Sequence, residues 1–178
     1  MINRVEITDD MIAEAKRVAE LRKIRYGHNT NAISVDRDIV GDLAEQALEK
    51  VLDEFNFLYT STRLKDTGGG DDYDFEVMNE GVVKTIDVKG STFTYDWENR
   101  DENEVHVWDN QIGNILKTDL LCFARVWVKS RVIYILGVIP SSRFKINMLP
   151  VGEGNLKRWV CKTKLLWDIR YELSKQRL

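Results

Sequence analysis

The sequence predicts an α/β fold, a mixed central sheet with helices packed on it. Three features predict it. Two segments before residue 55 repeat apolar residues at helical spacing. Between residues 57 and 89 the period drops to two, around a turn at Asn79-Glu80-Gly81. Two dense apolar runs, Leu120–Val128 and Val132–Ile139, then read as well-buried strands.

The elements follow in order. Residues 8–26 predict a helix: Thr8 suits the N-cap, Asp9 and Asp10 the positive helix start, and Gly27 the end. Residues 28–35 read as a loop. A second helix is expected from about Asp38 to Glu54, because Ile39, Val40, Leu43, Ala47, Val51 and Phe55 recur on one side. Phe57–Thr60 is a short strand, and Leu64–Asp71, with Gly68, Gly69 and Gly70, a turn or loop. Asp72–Val77 alternates, with Tyr73, Phe75 and Val77 to one side and Asp72, Asp74 and Glu76 to the other. Val82–Lys89 returns from the turn as its partner strand. Residues 94–109 read mostly as an acidic loop bearing Tyr95 and Trp97, and Asp109–Lys117 as a short helix. In the tail, Lys162–Asp168 reads as a strand and Ile169–Arg177 as a helix end.

Composition bounds the classes. A chain of 178 residues, 43% hydrophobic and 31% charged, is expected to be one soluble domain, 1–178. No apolar run approaches a membrane span, and Met1–Asp10 lacks the pattern of a secretory signal. Cys122 and Cys161, far apart and outside any CxxC pattern, read as reduced core thiols of a cytoplasmic protein. The formal charge of −3 conceals two opposite halves: residues 66–109 carry a net −10 and residues 143–178 a net +6. Arg143, Lys145, Lys157, Arg158, Lys162 and Lys164 in the basic tail are candidates for phosphate contact.

The chemistry concentrates in the hairpin. Alternation puts Asp87 and Lys89 on one face with Val88 turned into the core. Pairing around Gly81 brings Asp74 near Asp87. Two adjacent carboxylates repel each other unless a cation lies between them. Oxygen donors without a neighbouring His or Cys suit Mg²⁺ or Mn²⁺. Glu45 falls at the border of the second helix's apolar arc, within reach of a site at the sheet edge.

In this order the residues resemble the PD-(D/E)xK nuclease superfamily. Gly41-Asp42-Leu43-Ala44-Glu45 is similar to its first core helix, Asp72–Val77 to its first motif strand, and Ile86-Asp87-Val88-Lys89-Gly90 to its second motif. Thr118-Asp119-Leu120-Leu121 and Ile135–Pro140 extend the likeness, which covers about residues 38–142. The resemblance implies a restriction-endonuclease-like αβββαβ core. It leaves the N-terminal helix 8–26 and the basic extension 143–178 unexplained.

By resemblance, Asp74 and Asp87 with the Val88 carbonyl bind Mg²⁺, for which Mn²⁺ can substitute, and Glu45 completes the site. Asp71 and Asp72 compete for the first role, but Tyr73 and Phe75 flank Asp74 as a buried pair. Lys89 is the catalytic lysine, and Gln111 corresponds to a glutamine that many members carry on the following helix. The implied activity is metal-dependent hydrolysis of DNA, in a prokaryotic cell or phage-infected host, without membrane or organic cofactor. A small domain with no fused reading module favours a homodimer, a structure-selective enzyme or a partner-guided one. An inactive nucleic-acid-binding or protein-interaction module on the same fold is the alternative.

Overall fold

Thr8 starts the first helix as its side chain allows: its Oγ1 accepts from the Met11 N–H at 3.2 Å. The computed structural model describes residues 2–26, 32–63, 73–92, 104–115, 117–154 and 157–174. In chain order these form β1 (Asn3–Glu6), α1 (Asp9–Tyr26), α2 (Ala32–Glu54), β2 (Leu58–Ser61), β3 (Phe75–Asn79), β4 (Val82–Thr92) and β5 (Glu104–Trp108). After a 3₁₀ turn at Asp109–Gln111 come α3 (Ile112–Ile115), β6 (Leu120–Trp127), β7 (Val132–Pro140), α4 (Ser141–Asn147), β8 (Leu149–Val151), β9 (Arg158–Lys162) and α5 (Ile169–Ser174).

The fold is mixed α/β. Six strands form one sheet in the order β1-β7-β6-β4-β3-β2, and β5-β9-β8 form a second. In the larger sheet only β4 and β6 run parallel, in register Asp87↔Leu121 and Lys89↔Phe123. Strand alternation divides the apolar residues between two cores. Phe75, Ile86, Val88, Leu120 and Cys122 face the helices and pack with Leu43 of α2. Leu121, Phe123 and Ile139 face the other way, meeting Val105, Val107 and Phe144 beneath the second sheet. At the far end of the larger sheet, Lys84 Nζ donates to the Glu172 carbonyl at 2.5 Å, docking α5.

Several expectations change. Helix α2 begins at Ala32, so residues 32–35, expected as loop, are its first turn. The charged run Asp36-Arg37-Asp38 hides this beginning, because extending an established helix costs little and needs no apolar stripe. Strand β1 was not expected: one inward residue, Val5, is too little alternation to register. Part of the presumed acidic loop is β5, whose Val105 and Val107 point inward behind the flanking acids. The expected strand Lys162–Asp168 is instead the end of β9, a 3₁₀ turn and a single bridge from Trp167 to Val138. Three adjacent apolar residues, Leu165, Leu166 and Trp167, imitate a strand there. The glycine run 68–70, Asp71, Asp72, Tyr95, Trp97, Gly27 and His28 lie outside the described residues.

Both cysteines are free and buried. No described helix is long and apolar enough to cross a membrane.

Gly90 fixes how closely α2 lies on β4. A Cβ there would stand 2.9 Å from both the Ala44 Cβ and the Val40 carbonyl oxygen, and neither can move without moving the helix. Gly90→Ala is expected to cost about 1–3 kcal/mol by overpacking, read as a lowered midpoint in urea unfolding.

Candidate active site

The site forms where two strands part. Glu80 and Gly81, with φ of 48° and 81°, make the two-residue turn that joins β3 to β4. Positive φ at both positions matches the twist of the flanking strands. The register runs from Asn79↔Val82 to Phe75↔Ile86. One step beyond, the Asp74 N–H donates to the Ile86 carbonyl at 2.9 Å, so Asp74 and Phe75 both face Ile86 and the pairing slips by one residue. Asp74 still lies near enough to Asp87 for their charges to interact. Past this point β4 continues to Thr92 beside β6, while β3 has ended. The Val88 N–H therefore faces the gap, and Asp74 Oδ2 takes it at 2.6 Å in place of a strand carbonyl.

Asp87 and Lys89 share the face away from the helices, as alternation predicts. Lys89 Nζ lies 2.8 Å from Asp87 Oδ2 and 2.9 Å from Oδ1. Val88 points into the helical core. On that side the tight Gly90–Ala44 contact carries the next helical residue, Glu45, against the fork. Glu45 is only 6% exposed. Its Oε1 accepts from Arg22 Nη2 of α1 at 3.4 Å, and its buried Oε2 has no hydrogen-bond partner among the described residues.

The electrostatics bind these groups into one cluster. Burial pushes the Glu45 carboxyl up to about 7, although the Arg22 charge pulls it down. Burial also holds Asp74 well above the usual carboxylate range, and the charges of Glu45 and Asp87 add to the shift. The Cys122 thiol, behind the same carboxylates, is pushed up to about 12, mainly by burial. It stays neutral and packs as a small apolar group.

These shifts have a measurable consequence. For Glu45 and Asp74 the native state holds protons that the unfolded chain has released. Stability attributable to Glu45 therefore falls as pH rises from about 4.5 to about 7. Urea unfolding in EDTA is expected to show that decline, and Glu45→Gln to flatten it.

The donor chemistry fits a hard divalent cation: three carboxylates, one with an oxygen left unpartnered in a buried setting. As placed, each carboxylate is turned to its own donor: Asp74 to the Val88 N–H, Asp87 to Lys89 and Glu45 to Arg22. Among the described residues no group of three acidic, His or Cys side chains converges on one metal position.

Gln111 lies in the 3₁₀ turn after β5 and lines a cavity of about 1070 Å³ together with Val88 and Lys89. Asp74, Asp87 and Glu45 are not among its described lining residues. The six basic tail residues do not gather there; only Lys157 lines the cavity. Lys157 pairs with Asp109 at 3.2 Å, and Lys162 with Glu104 at 2.7 Å, so part of the basic tail neutralises part of the acidic stretch. Arg143 of α4 lies over the Trp167 ring, 4.6 Å from its centroid. Lys145 and Lys164 are exposed, and Arg158 is half-buried in β9. Tyr73, expected to be buried with Phe75, is half-buried and donates its hydroxyl to Glu76 at 2.6 Å.

Sequence reasoning missed the arginines. Besides Arg22, Arg63 donates to both oxygens of fully buried Asp42, at 3.2 and 3.1 Å, and lies 3.5 Å from Glu49. Gln46 donates to Asp42 at 2.6 Å and to the Met11 carbonyl at 3.1 Å. The available signal was Asp42, Glu45 and Gln46 together on the side of α2 outside its apolar arc, with Glu45 at the border. A second helix covers that side, and buried carboxylates there require cations.

No family model matches the chain, and no curated protein matches it. Two solved structures are similar to it. One is a bacterial homing endonuclease, 15% identical, over 78% of this chain and 83% of that one, with a TM-score of 0.39. The other is a nuclease from a fusselovirus, 12% identical, over 82% of this chain and 92% of that one, with a TM-score of 0.41.

Proposed function

We propose that this chain is a divalent-metal-dependent endonuclease that hydrolyses DNA phosphodiester bonds on a restriction-endonuclease-like core. The fork carries the reading: Asp74 lies beside Asp87, Lys89 touches Asp87, and Glu45 arrives from α2 with one buried oxygen unpartnered among the described residues. Glu45, Asp74, Asp87 and the Val88 carbonyl would hold Mg²⁺ or Mn²⁺. Backbone alternation aims that carbonyl at the gap the Val88 N–H already faces. When bound, the ion supplies positive charge at the phosphate and leaving oxygens.

The chain's own residues supply the other functions. Lys89 Nζ has three protons and, among the described residues, one carboxylate partner, so it can also donate to an attacking water and orient it toward phosphorus. As the new P–O bond forms, the same ammonium meets the charge growing on the pentacovalent transition state. Gln111, across the cavity, positions that water or the phosphate. Arg22 draws Glu45 toward its ionised form against burial, which favours the neutral one. The basic side chains of the tail would hold the phosphate backbone in a salt-dependent way.

Incubating supercoiled plasmid and branched DNA with Mg²⁺, Mn²⁺ or EDTA tests this. Cutting with either metal and none in EDTA is expected. Failure to cut any nucleic acid with either metal overturns the reading in favour of a binding module.

A further inference from the structure

Lys89 and Gln111 open onto a cavity most of whose other walls, Val88 and Lys157 apart, have no role in the reaction just described. Residues 88–92 of β4 and Phe123 and Ala124 of β6 form one side, and Arg37, Val40 and Gly41 of α2 another. His106 and Trp108 of β5, with Lys157 just before β9, close it from the second sheet. Val105 and Val107 anchor that sheet to the larger one through the second core, and alternation turns His106 and Trp108 the other way, although Val105 also lines the cavity. Their rings meet edge to face at 5.7 Å.

Three properties define the occupant. The volume, about 1070 Å³, is at the upper end for a small-molecule site and has room for a nucleotide or two. An indole on the wall offers a stacking surface that every base can use. Arg37, Lys89 and Lys157 supply cations, of which Lys89 and Lys157 are held by Asp87 and Asp109, while Asp38 adds a carboxylate beside Arg37. An apolar ligand would leave these charges buried beneath it; a nucleotide's phosphate meets them.

We infer that this cavity binds an unpaired nucleotide, with the base against Trp108 and the phosphate toward Lys89, so that the substrate is a strand with a single-stranded or extruded segment. This rests on the nuclease reading for the reaction, though not for the binding. The stacking chemistry serves DNA and RNA alike.

Fluorescence anisotropy in EDTA at low salt, with labelled dT and rU 12-mers and a 12-base-pair duplex, tests the inference on the full chain. The single strands are expected to bind at least about five-fold more tightly than the duplex, with the dT and rU values telling the two sources apart. Trp108→Ala should weaken single-strand binding about five-fold or more and leave duplex binding within about two-fold. Trp108→Phe, which keeps a ring, should restore most of the loss. Equal or tighter duplex binding, or single-strand affinity that ignores Trp108→Ala, overturns the inference. Should Trp108→Ala not fold, the wild-type comparison of strand and duplex decides alone. A chain that binds dT through Trp108 but cuts nothing retains this inference and loses the nuclease reading. One that cuts and binds duplex equally well, indifferent to Trp108, does the reverse.

Discussion

Lys89→Ala is expected to lower DNA cleavage by about 10²–10³-fold, the scale for removing one donor aimed at developing charge, while DNA binding persists. The ammonium sits 2.8 Å from Asp87 Oδ2, so its position is set before substrate arrives. Removing it takes one cation from the cluster and leaves three carboxylates. A divalent ion should then bind at least as well as before. Plasmid nicking rates, compared with filter binding of the same DNA, separate the two effects. Wild-type activity in the variant would remove Lys89 from the reaction.

Asp74→Asn should act in the opposite sense on stability and function. The amide oxygen can still accept from the Val88 N–H, so the strand fork keeps its 2.6 Å contact in kind. The charge that burial, Glu45 and Asp87 all disfavour is gone. In EDTA at pH 8 the variant is expected to melt about 2–4 °C higher, the shift that ~1 kcal/mol makes in a chain of this size. Saturating Mg²⁺ should raise the wild-type melting temperature through linkage and leave the variant unmoved. Scanning calorimetry with and without the metal reads both. A variant that melts lower in EDTA, or still responds to Mg²⁺, would place the ion elsewhere.

The hairpin was legible because its signals are local. Alternation from Tyr73 to Lys89 and the Asn79-Glu80-Gly81 turn set the register as far as Phe75 and Ile86, which brings Asp74 near Asp87; the slip at Asp74 itself was not legible. Glu45 was legible as a border residue on a helical wheel. Its depth was not, because α2 is covered on two sides: the sheet takes its apolar arc, and α1 covers Asp42, Glu45 and Gln46. Arg22 and Arg63 answer those acids from 23 and 21 residues away, a pairing that no local pattern encodes. Strand β5 was hidden because its two inward valines alternate with Glu104, His106 and Trp108 at the end of an acidic stretch. The beginning of α2 was hidden because a helix needs no stripe where it only extends. What escaped was mostly long-range: partners, and the side on which a segment is covered.

The two thiols bear on how the molecule comes apart. Cys122 belongs to the core under the helices, and Cys161 of β9 to the core between the sheets. Both are free, and burial holds both in the unreactive protonated form. An alkylating reagent therefore reaches each only when its own core opens, which makes the pair a two-channel clock. If Cys161 is modified well ahead of Cys122, the small sheet lifts while the large one stays closed, and the cavity wall carrying Trp108 can swing. If both are modified at one rate, that wall is fixed, and a strand must thread into the cavity from its open end.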